Sequence, residues 1–357
     1  MTPTFTRSPH LVDLIAEAEH LSAMLTLADP APAADLWRDA AMASLAMDGS
    51  TIPAPPTEAD LEASRSAEDL EGLAGTVGWA DAMDREHDEA PDATDLDRVV
   101  WAREYQGVID AVTADDLAER LLRDPLGALA SLHGLLTHGL VPSEHVGALR
   151  RSDQAVHDAA TGRIVYFATD PAAVAAEVHG LAGWVASAGA REHGLLLSGV
   201  VHAELLRIHP FESANGRLAR AAARLLLRGR ALDPHGLAVP ELALHADALG
   251  TYEEVARTSR RRDHTIWLER WGEAVTSGLR TSAIRLGMLD PEVPARARDF
   301  VEARSGTFTV IDYRGDVGVE PPDARADLER MLDAGVIRRV LGGRGLVFEV
   351  VAHATAH

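Results

Sequence analysis

The segment from His209 to Arg220, HPFESANGRLAR, constrains the fold of this chain more than any other stretch. The strongly apolar residues 192–208 before it predict a buried helix, and a second helix is predicted from about Gly216 to Leu227. The segment therefore contains a short loop that joins two helices and faces the N-terminus of the second. Unpaired N–H groups and the helix dipole make such an N-terminus a favourable place for an anion.

Residue usage draws attention to Asn215. It is the only asparagine of the chain, and no lysine is present, so all 34 Lys and Arg positions are arginine. This usage is typical of a GC-rich genome, in which an asparagine that survives has a chemical reason or serves as a turn residue or helix cap. The absence of lysine excludes a GxxxxGK[ST] phosphate loop, so any phosphate contacts come from arginine, backbone N–H groups or a metal.

Composition indicates a globular protein with room for two or three domains in 357 residues. No apolar run is long enough for a membrane span, and the start MTPTFTRSPH lacks a signal peptide pattern. Cysteine is absent, which excludes disulfides and thiolate ligands. We therefore expect a cytoplasmic protein without a membrane partner. The net charge of −21 disfavours nucleic acid as a partner.

Helical periodicity dominates, so the fold class is predicted to be mainly α. The acidic stretch 57–90 predicts short helices. Turn residues followed by an apolar run predict a β-hairpin at about 154–167. The longer predicted helices cover 8–28, 35–47, 95–112, 114–122, 126–139, 171–189, 192–208, 216–227, 241–257 and 263–286.

The C-terminal region is predicted to be a small separate domain that begins after the prolines at 291 and 294. Its pattern gives a helix at 295–304, a short strand or helix at 307–311, a helix at 321–335 and a hairpin turned at Gly342-Gly343. This arrangement resembles a winged helix. The predicted organisation is an N-terminal helical region at 1–95, a core at 96–288 and the winged-helix-like domain at 291–357.

The loop residues suggest phosphoryl-type chemistry. Arg217 and Arg220 are three residues apart, so both lie on one face of the helix, where two guanidiniums match a polyphosphate. Gly216 allows the backbone to approach a phosphate closely, and the Asn215 amide is expected to donate to a phosphate oxygen. His209 at the opposite side of the loop is expected to have a pKa near neutrality, suited to a general base.

The two residues after His209 are expected to support the loop. Pro210 stiffens its start, and Phe211 is expected to pack into the core beneath it.

The segment closely resembles the signature of Fic-domain proteins, H-x-F-x-[D/E]-[G/A]-N-[G/K]-R-x-x-R. The surrounding residues 101–280 resemble the helical Fic core, including LHGLL at 132–136 and GALR at 147–150. The hairpin resembles the flap of that family, which aligns a target segment by strand pairing. The matching positions are His209, Phe211, Ala214, Asn215, Gly216, Arg217 and Arg220.

The resemblance implies a protein adenylyltransferase that moves AMP from ATP, with Mg²⁺, to a Ser, Thr or Tyr hydroxyl of a target protein. His209 would deprotonate that hydroxyl. Asn215 and Gly216, beside Ala214, would hold the α- and β-phosphates. Arg217 would neutralise the leaving pyrophosphate, and Arg220 would contact the γ-phosphate or an inhibitory acid.

One position departs from the family pattern. Ser213 stands where the family has the acidic residue that holds Mg²⁺, and a hydroxyl is a weak neutral ligand. Three alternatives follow. The carboxylate of the adjacent Glu212 turns towards the metal, Ser213 binds the metal directly or through water, or metal use is impaired.

A second match lies near the N-terminus. Ser44, Asp48 and Gly49 in ASLAMDGST resemble the inhibitory helix motif of the family, [S/T]-x-x-x-E-[G/N], on a helix at about 35–49. The resemblance implies that Asp48 pairs with Arg220 and blocks the γ-phosphate. Because Asp is one methylene shorter than Glu, we expect it to reach Arg220 less well. The alternative is an ordinary helix end capped by Gly49.

The sequence leaves several functions open. The first is an adenylyltransferase restrained by its N-terminal helix. The second is a catalytically impaired Fic scaffold, and the third is a nucleotide-binding regulator that acts through the winged-helix-like domain. DNA is an unlikely partner because the helix at 321–335 carries four acidic residues, although the hairpin has basic residues at 338, 339 and 344. A homodimer is a further alternative.

Overall fold

The computed structural model describes residues 3–28, 34–50, 52, 54–67, 70, 95–158, 161–187, 189–289, 293–334, 336–340 and 347–350. Over these ranges the fold is mainly helical, as predicted. The chain divides into two compact units, Met1–Leu279 and Arg280–His357. None of the described helices is both long and apolar enough to cross a membrane.

The first unit contains a helical bundle and one hairpin. The boundaries of the predicted helices are reproduced within a few residues in most cases. The helices are α1 (Pro9–Leu25), α2 (Ala34–Met47), α3 (Glu58–Ser66), α4 (Asp95–Thr113), α5 (Asp115–Arg123), α6 (Pro125–Leu136), α7 (Pro171–Ala186), α8 (Gly194–Ile208), α9 (Asn215–Gly229), α10 (Pro240–Ala246), α11 (Ala248–Arg261) and α12 (Thr265–Arg285), which begins in this unit.

The centre of the bundle is the pair α8 and α9. Nearly every residue of α8 is buried, because its sequence GLLLSGVVHAELLRI is apolar on all faces. In α9 the apolar residues pack inwards, and three buried arginines (Arg217, Arg220 and Arg224) require ionic partners from neighbouring helices. The loop between α8 and α9 is therefore fixed at both ends by buried helices.

Two expectations are corrected or limited by the structure. The single helix predicted at 241–257 is two helices, α10 and α11. Asp247 lies between them, and its carboxylate accepts a hydrogen bond from Gly250 N at 3.2 Å, which caps the second helix. Of the acidic stretch 57–90, α3 is observed, and residues 71–94 lie outside the described residues.

The predicted hairpin is present. Strands β1 (Ala155–His157) and β2 (Ile164–Phe167) pair antiparallel, with Val156 opposite Tyr166 and an irregularity after Val156. The Tyr166 hydroxyl donates to Leu206 O at 2.9 Å, which anchors β2 to the last turns of α8. The hairpin is therefore held beside the loop that follows α8.

The second unit has its own core and a small sheet. After α13 (Ala295–Glu302) come β3 (Thr307–Thr309), α14 (Val310–Val317), α15 (Pro321–Asp333), β4 (Ile337–Val340) and β5 (Val347–Val350), with strand order β3-β5-β4. The stretch 307–311 thus contains a strand and the start of a helix. The winged-helix interpretation stays a prediction, and the hairpin tip at 341–346 lies outside the described residues.

One acidic residue of α15 has a structural role. Asp327 is fully buried and accepts hydrogen bonds from Arg296 at 2.7 Å and from the Tyr313 hydroxyl at 2.7 Å. The expectation that this carboxylate contributes to a repulsive helix surface is therefore wrong, because it is an internal tie between α13, α14 and α15.

Candidate active site

The loop between α8 and α9 has strained backbone at both ends. His209 terminates α8 with φ 48°, and Ala214 precedes α9 with φ 58°, both in the left-handed region. For residues with a side chain this conformation costs about 1–2 kcal/mol each, and it persists where surrounding contacts hold it. Such strain is typical of functional loops.

Asn215 supplies one set of those contacts. Its Oδ1 accepts from Phe211 N at 3.0 Å, and its Nδ2 donates to Phe211 O at 2.8 Å and to Gln154 Oε1 at 3.3 Å. Both amide hydrogens are used within the protein. In this state Asn215 braces the loop, whereas the sequence led us to expect a donor to phosphate.

Arg150 supplies the second set. It is buried, and its guanidinium donates to His209 O at 2.5 Å, to Ile208 O at 3.0 Å, to Ser152 O at 2.5 Å and to Thr169 O. Burial lowers the pKa of this arginine, and the nearby carboxylate of Glu212 opposes that effect. One side chain therefore joins the end of α8 to both segments that flank the hairpin.

The loop rests on an aromatic contact. Phe211 is buried as predicted, and its ring lies 4.2 Å from the ring of His133 on α6. Pro210 is also buried, and its carbonyl oxygen accepts from Arg150 N at 2.9 Å. These contacts leave the backbone of the loop little freedom to move.

The imidazole of His209 is neutral near pH 7. Burial lowers its pKa to about 4, against the raising effect of the contact with Leu206 O, which corrects the expectation of a pKa near neutrality. The contact between His209 Nδ1 and Leu206 O measures 2.5 Å, and a carbonyl oxygen only accepts, so Nδ1 carries the proton. Nε2 is then the unprotonated nitrogen, which is the form that a general base requires.

Asp48 joins the two arginines of the loop motif. Its carboxylate lies 2.6 Å from Arg220 Nη2 and 3.1 Å from Arg217 Nε. Ser44, one turn earlier on α2, accepts from Arg220 Nε at 2.7 Å through its hydroxyl and from Arg220 Nη2 at 2.8 Å through its carbonyl. The expectation that Asp48 reaches Arg220 less well is wrong, because α2 approaches α9 closely enough for the shorter side chain.

The end of α2 fixes Asp48 at this position. Gly49 follows with φ 96°, and Gly49 N and Ser50 N donate back to carbonyl oxygens of the last turn. Tyr252 of α11 also lies against this turn, with its hydroxyl 3.3 Å from Met47 O. Gly49 thus caps the helix, and the two explanations considered for ASLAMDGST are compatible.

Arg217 has a second carboxylate partner that the sequence did not reveal. Glu104 of α4 is buried and lies 2.8 Å from Arg217 Nη2. Arg217 Nη1 is buried without a hydrogen-bond partner among the described residues. The guanidinium is therefore oriented by Glu104 and Asp48, and the N–H groups of its Nη1 atom are unused in the described part of the chain.

His209, Asp48 and Arg217 line a cavity of about 440 Å³. The size is within the range of small-molecule sites. No side chain caps α9 at Ala214, so the first N–H groups of that helix are open to a ligand. The cavity is lined by Met47, Asp48, Asp153, Gln154, Ala155, Val156, His157, Leu206, His209, Glu212, Ser213, Ala214, Asn215, Gly216, Arg217 and Tyr252.

The loop does not offer a carboxylate site for Mg²⁺. Glu212 accepts from Arg151 N at 2.9 Å and from Ser152 Oγ at 2.5 Å, so its carboxylate is bound to the segment before β1. Ser213 Oγ is buried and has no hydrogen-bond partner within the described residues. Proteins usually bind Mg²⁺ with one or two carboxylates plus substrate phosphates. A single neutral hydroxyl does not fit that ion.

Residues 125–227 match the family model described as the Fic/DOC family. This part of the chain is a Fic/DOC domain. It contains α6 to α8, the flap hairpin β1–β2 and most of α9, and therefore the whole loop with His209. No curated protein matches the chain.

Solved structures of Fic proteins resemble the chain. A Fic family protein from Desulfovibrio desulfuricans shares 19% identity over 100% of both chains, with a TM-score of 0.57. A fragment of Fic-1 from C. elegans shares 14% identity over 78% of this chain and 71% of its own, with a TM-score of 0.48. A Fic domain containing signaling protein from Bacteroides thetaiotaomicron shares 14% identity over 78% and 97%, with a TM-score of 0.46. The first likeness indicates a shared Fic fold.

Sequence reasoning missed Arg150, Gln154, Glu104 and Tyr252. Arg150 belongs to the GALR segment that resembles the family, yet its contact with His209 O spans 59 positions. Glu104 lies 113 positions from Arg217. A charged residue inside an otherwise apolar helical face is the one signal that marks Glu104, since such a residue needs a buried partner.

Proposed function

We propose that the chain is a protein adenylyltransferase that moves AMP from ATP to a hydroxyl of a target protein. The observation that carries the proposal is one cavity bounded by an unprotonated His209 Nε2, the open N-terminus of α9 and the guanidinium of Arg217. A base, helix N–H groups and a guanidinium are the groups that phosphoryl transfer to an alcohol uses.

In the proposed reaction the target hydroxyl oxygen attacks the α-phosphorus of ATP. Nε2 of His209 takes the hydroxyl proton as the new P–O bond forms. The bond between the α-phosphorus and the bridging oxygen breaks, and pyrophosphate leaves with the bonding electrons. Arg217 and Arg220 would neutralise its charge once Asp48 has withdrawn.

Regulation by α2 is part of the proposal. Asp48 occupies both guanidiniums that would bind the phosphates, so ATP must displace a carboxylate held by two charge-assisted contacts of 2.6 and 3.1 Å. The state described here would accordingly be the restrained one.

A second candidate function is a nucleotide-binding scaffold with little transfer activity. Ser213 favours it, because the hydroxyl replaces the carboxylate that the Mg²⁺-dependent reaction of the family is expected to use. Both candidates predict nucleotide binding, and they differ in transfer.

Incubation with ATP labelled at the α-phosphate distinguishes them. We expect Asp48→Gly to label itself or an added lysate protein more strongly than the wild type, and Asp48→Gly/His209→Ala to remain unlabelled. ATP binding by both variants without labelling of either would support the scaffold instead.

A further inference from the structure

We propose that a basic groove on the outer side of the flap binds an acidic segment of the target protein. The groove encloses about 300 Å³ between β2 and α11 and is lined by Arg163, Ile164, Val165, Glu253, Ala256, Arg257 and Arg260. This inference rests on the proposed function, because it concerns the protein that would be modified.

The charge of the groove is opposite to that of the chain. Three arginines and one glutamate line it, whereas the whole chain has a net charge of −21. Glu253 lies 2.7 Å from Arg257 and 3.8 Å from Arg163, and Arg257 also lies 3.1 Å from Glu254, so two carboxylates adjoin two of the three arginines. Exposed Arg260 has no carboxylate within ion-pair distance in the described part of the chain. The groove therefore retains positive charge for an incoming anion.

Apolar side chains are exposed on the same strand. Ile164 is 45% exposed and Phe167 is 74% exposed, although both belong to β2 in the middle of the Fic domain. Large apolar groups rimmed by charge are typical of a protein-binding surface. An acidic segment with apolar residues would match both properties.

The groove and the cavity lie on the two strands of one hairpin. Residues of β1 line the cavity with His209, and Ile164 and Val165 of its partner β2 line the groove. Paired strands are about 4.8 Å apart, so the two sites are neighbours on one hairpin and within reach of one extended peptide. The acidic residues of the target are accordingly expected within a few residues of the acceptor hydroxyl.

A polypeptide fits these observations better than nucleic acid. The groove is small and bordered by apolar side chains, and the strongly acidic remainder of the chain would repel a long phosphate backbone. A segment of a protein with a few carboxylates fits within the basic surface.

The test measures peptide binding to the full-length protein by fluorescence anisotropy. One labelled probe has a central threonine with Glu-Leu-Glu-Glu beginning three residues away on both sides, and the other carries Gln-Leu-Gln-Gln. The groove variant is Arg163→Glu/Arg260→Glu. The matched control, Arg65→Glu/Arg123→Glu, reverses two exposed arginines outside the groove, each of which makes a surface ion pair.

We expect the acidic probe to bind about tenfold more tightly than the neutral one, with an affinity that falls as salt is added. The groove variant should lose this preference, and the control should retain it. Equal binding of both probes, or an acidic preference that survives in the groove variant, overturns the proposal. Displacement of the probe by duplex DNA at lower concentration than by unlabelled acidic peptide would assign the groove to nucleic acid and also overturn it.

The binding test does not depend on catalysis. It is repeated with His209→Ala, which is expected to bind the acidic probe as the wild type does. A preference for the acidic probe without any AMP transfer would leave the groove assignment intact and contradict the proposed function. AMP transfer without a preference for the acidic probe would support the proposed function and contradict the groove assignment.

Discussion

Asp48 lies 2.6 Å from Arg220 and 3.1 Å from Arg217, so the single carboxylate that follows α2 neutralises part of the charge of two guanidiniums on α9. Glu104 is more deeply buried than Asp48 and lies 2.8 Å from Arg217 Nη2. Under the proposed function, the less buried Asp48 is the acid that we expect a phosphate group to replace, and the more buried Glu104 is expected to remain paired with Arg217.

Asp48→Gly is expected to increase ATP affinity roughly tenfold, because the phosphates no longer compete with a carboxylate. Isothermal titration in a His209→Ala background measures binding without turnover. Asp35→Ala, which removes an exposed acid from the same helix, is the control and should bind ATP as the parent does. Unchanged affinity in Asp48→Gly would contradict the assignment of Asp48 as an inhibitory residue.

Ser213→Asp is expected to raise the dependence of transfer on Mg²⁺ and the affinity for a divalent ion. The new carboxylate provides the anionic oxygen that the loop lacks. Mn²⁺ binding followed by electron paramagnetic resonance gives a readout that is independent of turnover. Ser213→Asn introduces a neutral side chain of similar size and should change neither quantity; a matching gain in this variant would show that charge is not the cause.

Arg150→Met is expected to destabilise the protein by about 2–4 kcal/mol and to reduce transfer strongly. The change leaves several buried carbonyl oxygens without donors, among them those of Ile208 and His209. Thermal unfolding measures the loss. Arg151→Met removes the exposed neighbouring arginine and should be close to neutral. Equal effects of the two substitutions would argue against the role assigned to the buried contacts of Arg150.

The lowered pKa of His209 predicts the pH dependence of transfer. Its value of about 4 lies below the ordinary 6.5, so the imidazole stays unprotonated as the pH falls from 8 to about 5.5. The rate of the Asp48→Gly variant, measured with saturating ATP, should be flat over that interval and fall only at lower pH. A rate that halves near pH 6.5 would show that the base has the ordinary pKa of histidine and would contradict the lowered pKa of His209.

His202 predicts the acid sensitivity of the fold. It is fully buried between the rings of Trp267 and Trp271, neither ring nitrogen has a hydrogen-bond partner among the described residues, and burial lowers its pKa to about 3. In the unfolded chain the residue binds a proton near pH 6.5, whereas the folded protein does not. Its effect is therefore a stability that declines as pH falls from about 6.5 towards 3.

His202→Phe should remove this contribution. We expect a smaller fall of the melting temperature between pH 7 and pH 5 than in the wild type, with equal or slightly higher stability at pH 7 because two unsatisfied polar atoms are replaced. His20→Phe, which lies on the outer part of α1, serves as the control. A steeper pH dependence in the variant would contradict the burial argument.

The sequence predicted most helix boundaries because apolar residues repeat at the helical period on α1 and α7, and α8 is a nearly continuous apolar run. It missed the break at Asp247, where a single capping side chain ends one helix and begins another without disturbing the apolar pattern. The loop motif and its two flanking helices followed from local sequence. The bracing role of Asn215, the pKa of His209 and the contacts of Arg150 and Glu104 depend on burial and on residues far apart in the chain, which local patterns do not encode.

Gly216 lies at the start of α9, where a Cβ atom would lie 2.4 Å from Asp48 Oδ1. A side chain there would require the Asp48 carboxylate to shift from its place beside the two arginines. If the proposed restraint by Asp48 operates, the absence of a Cβ atom at residue 216 is one of its conditions. A substitution of this glycine would then weaken the restraint from within α9, with the sequence of α2 unchanged.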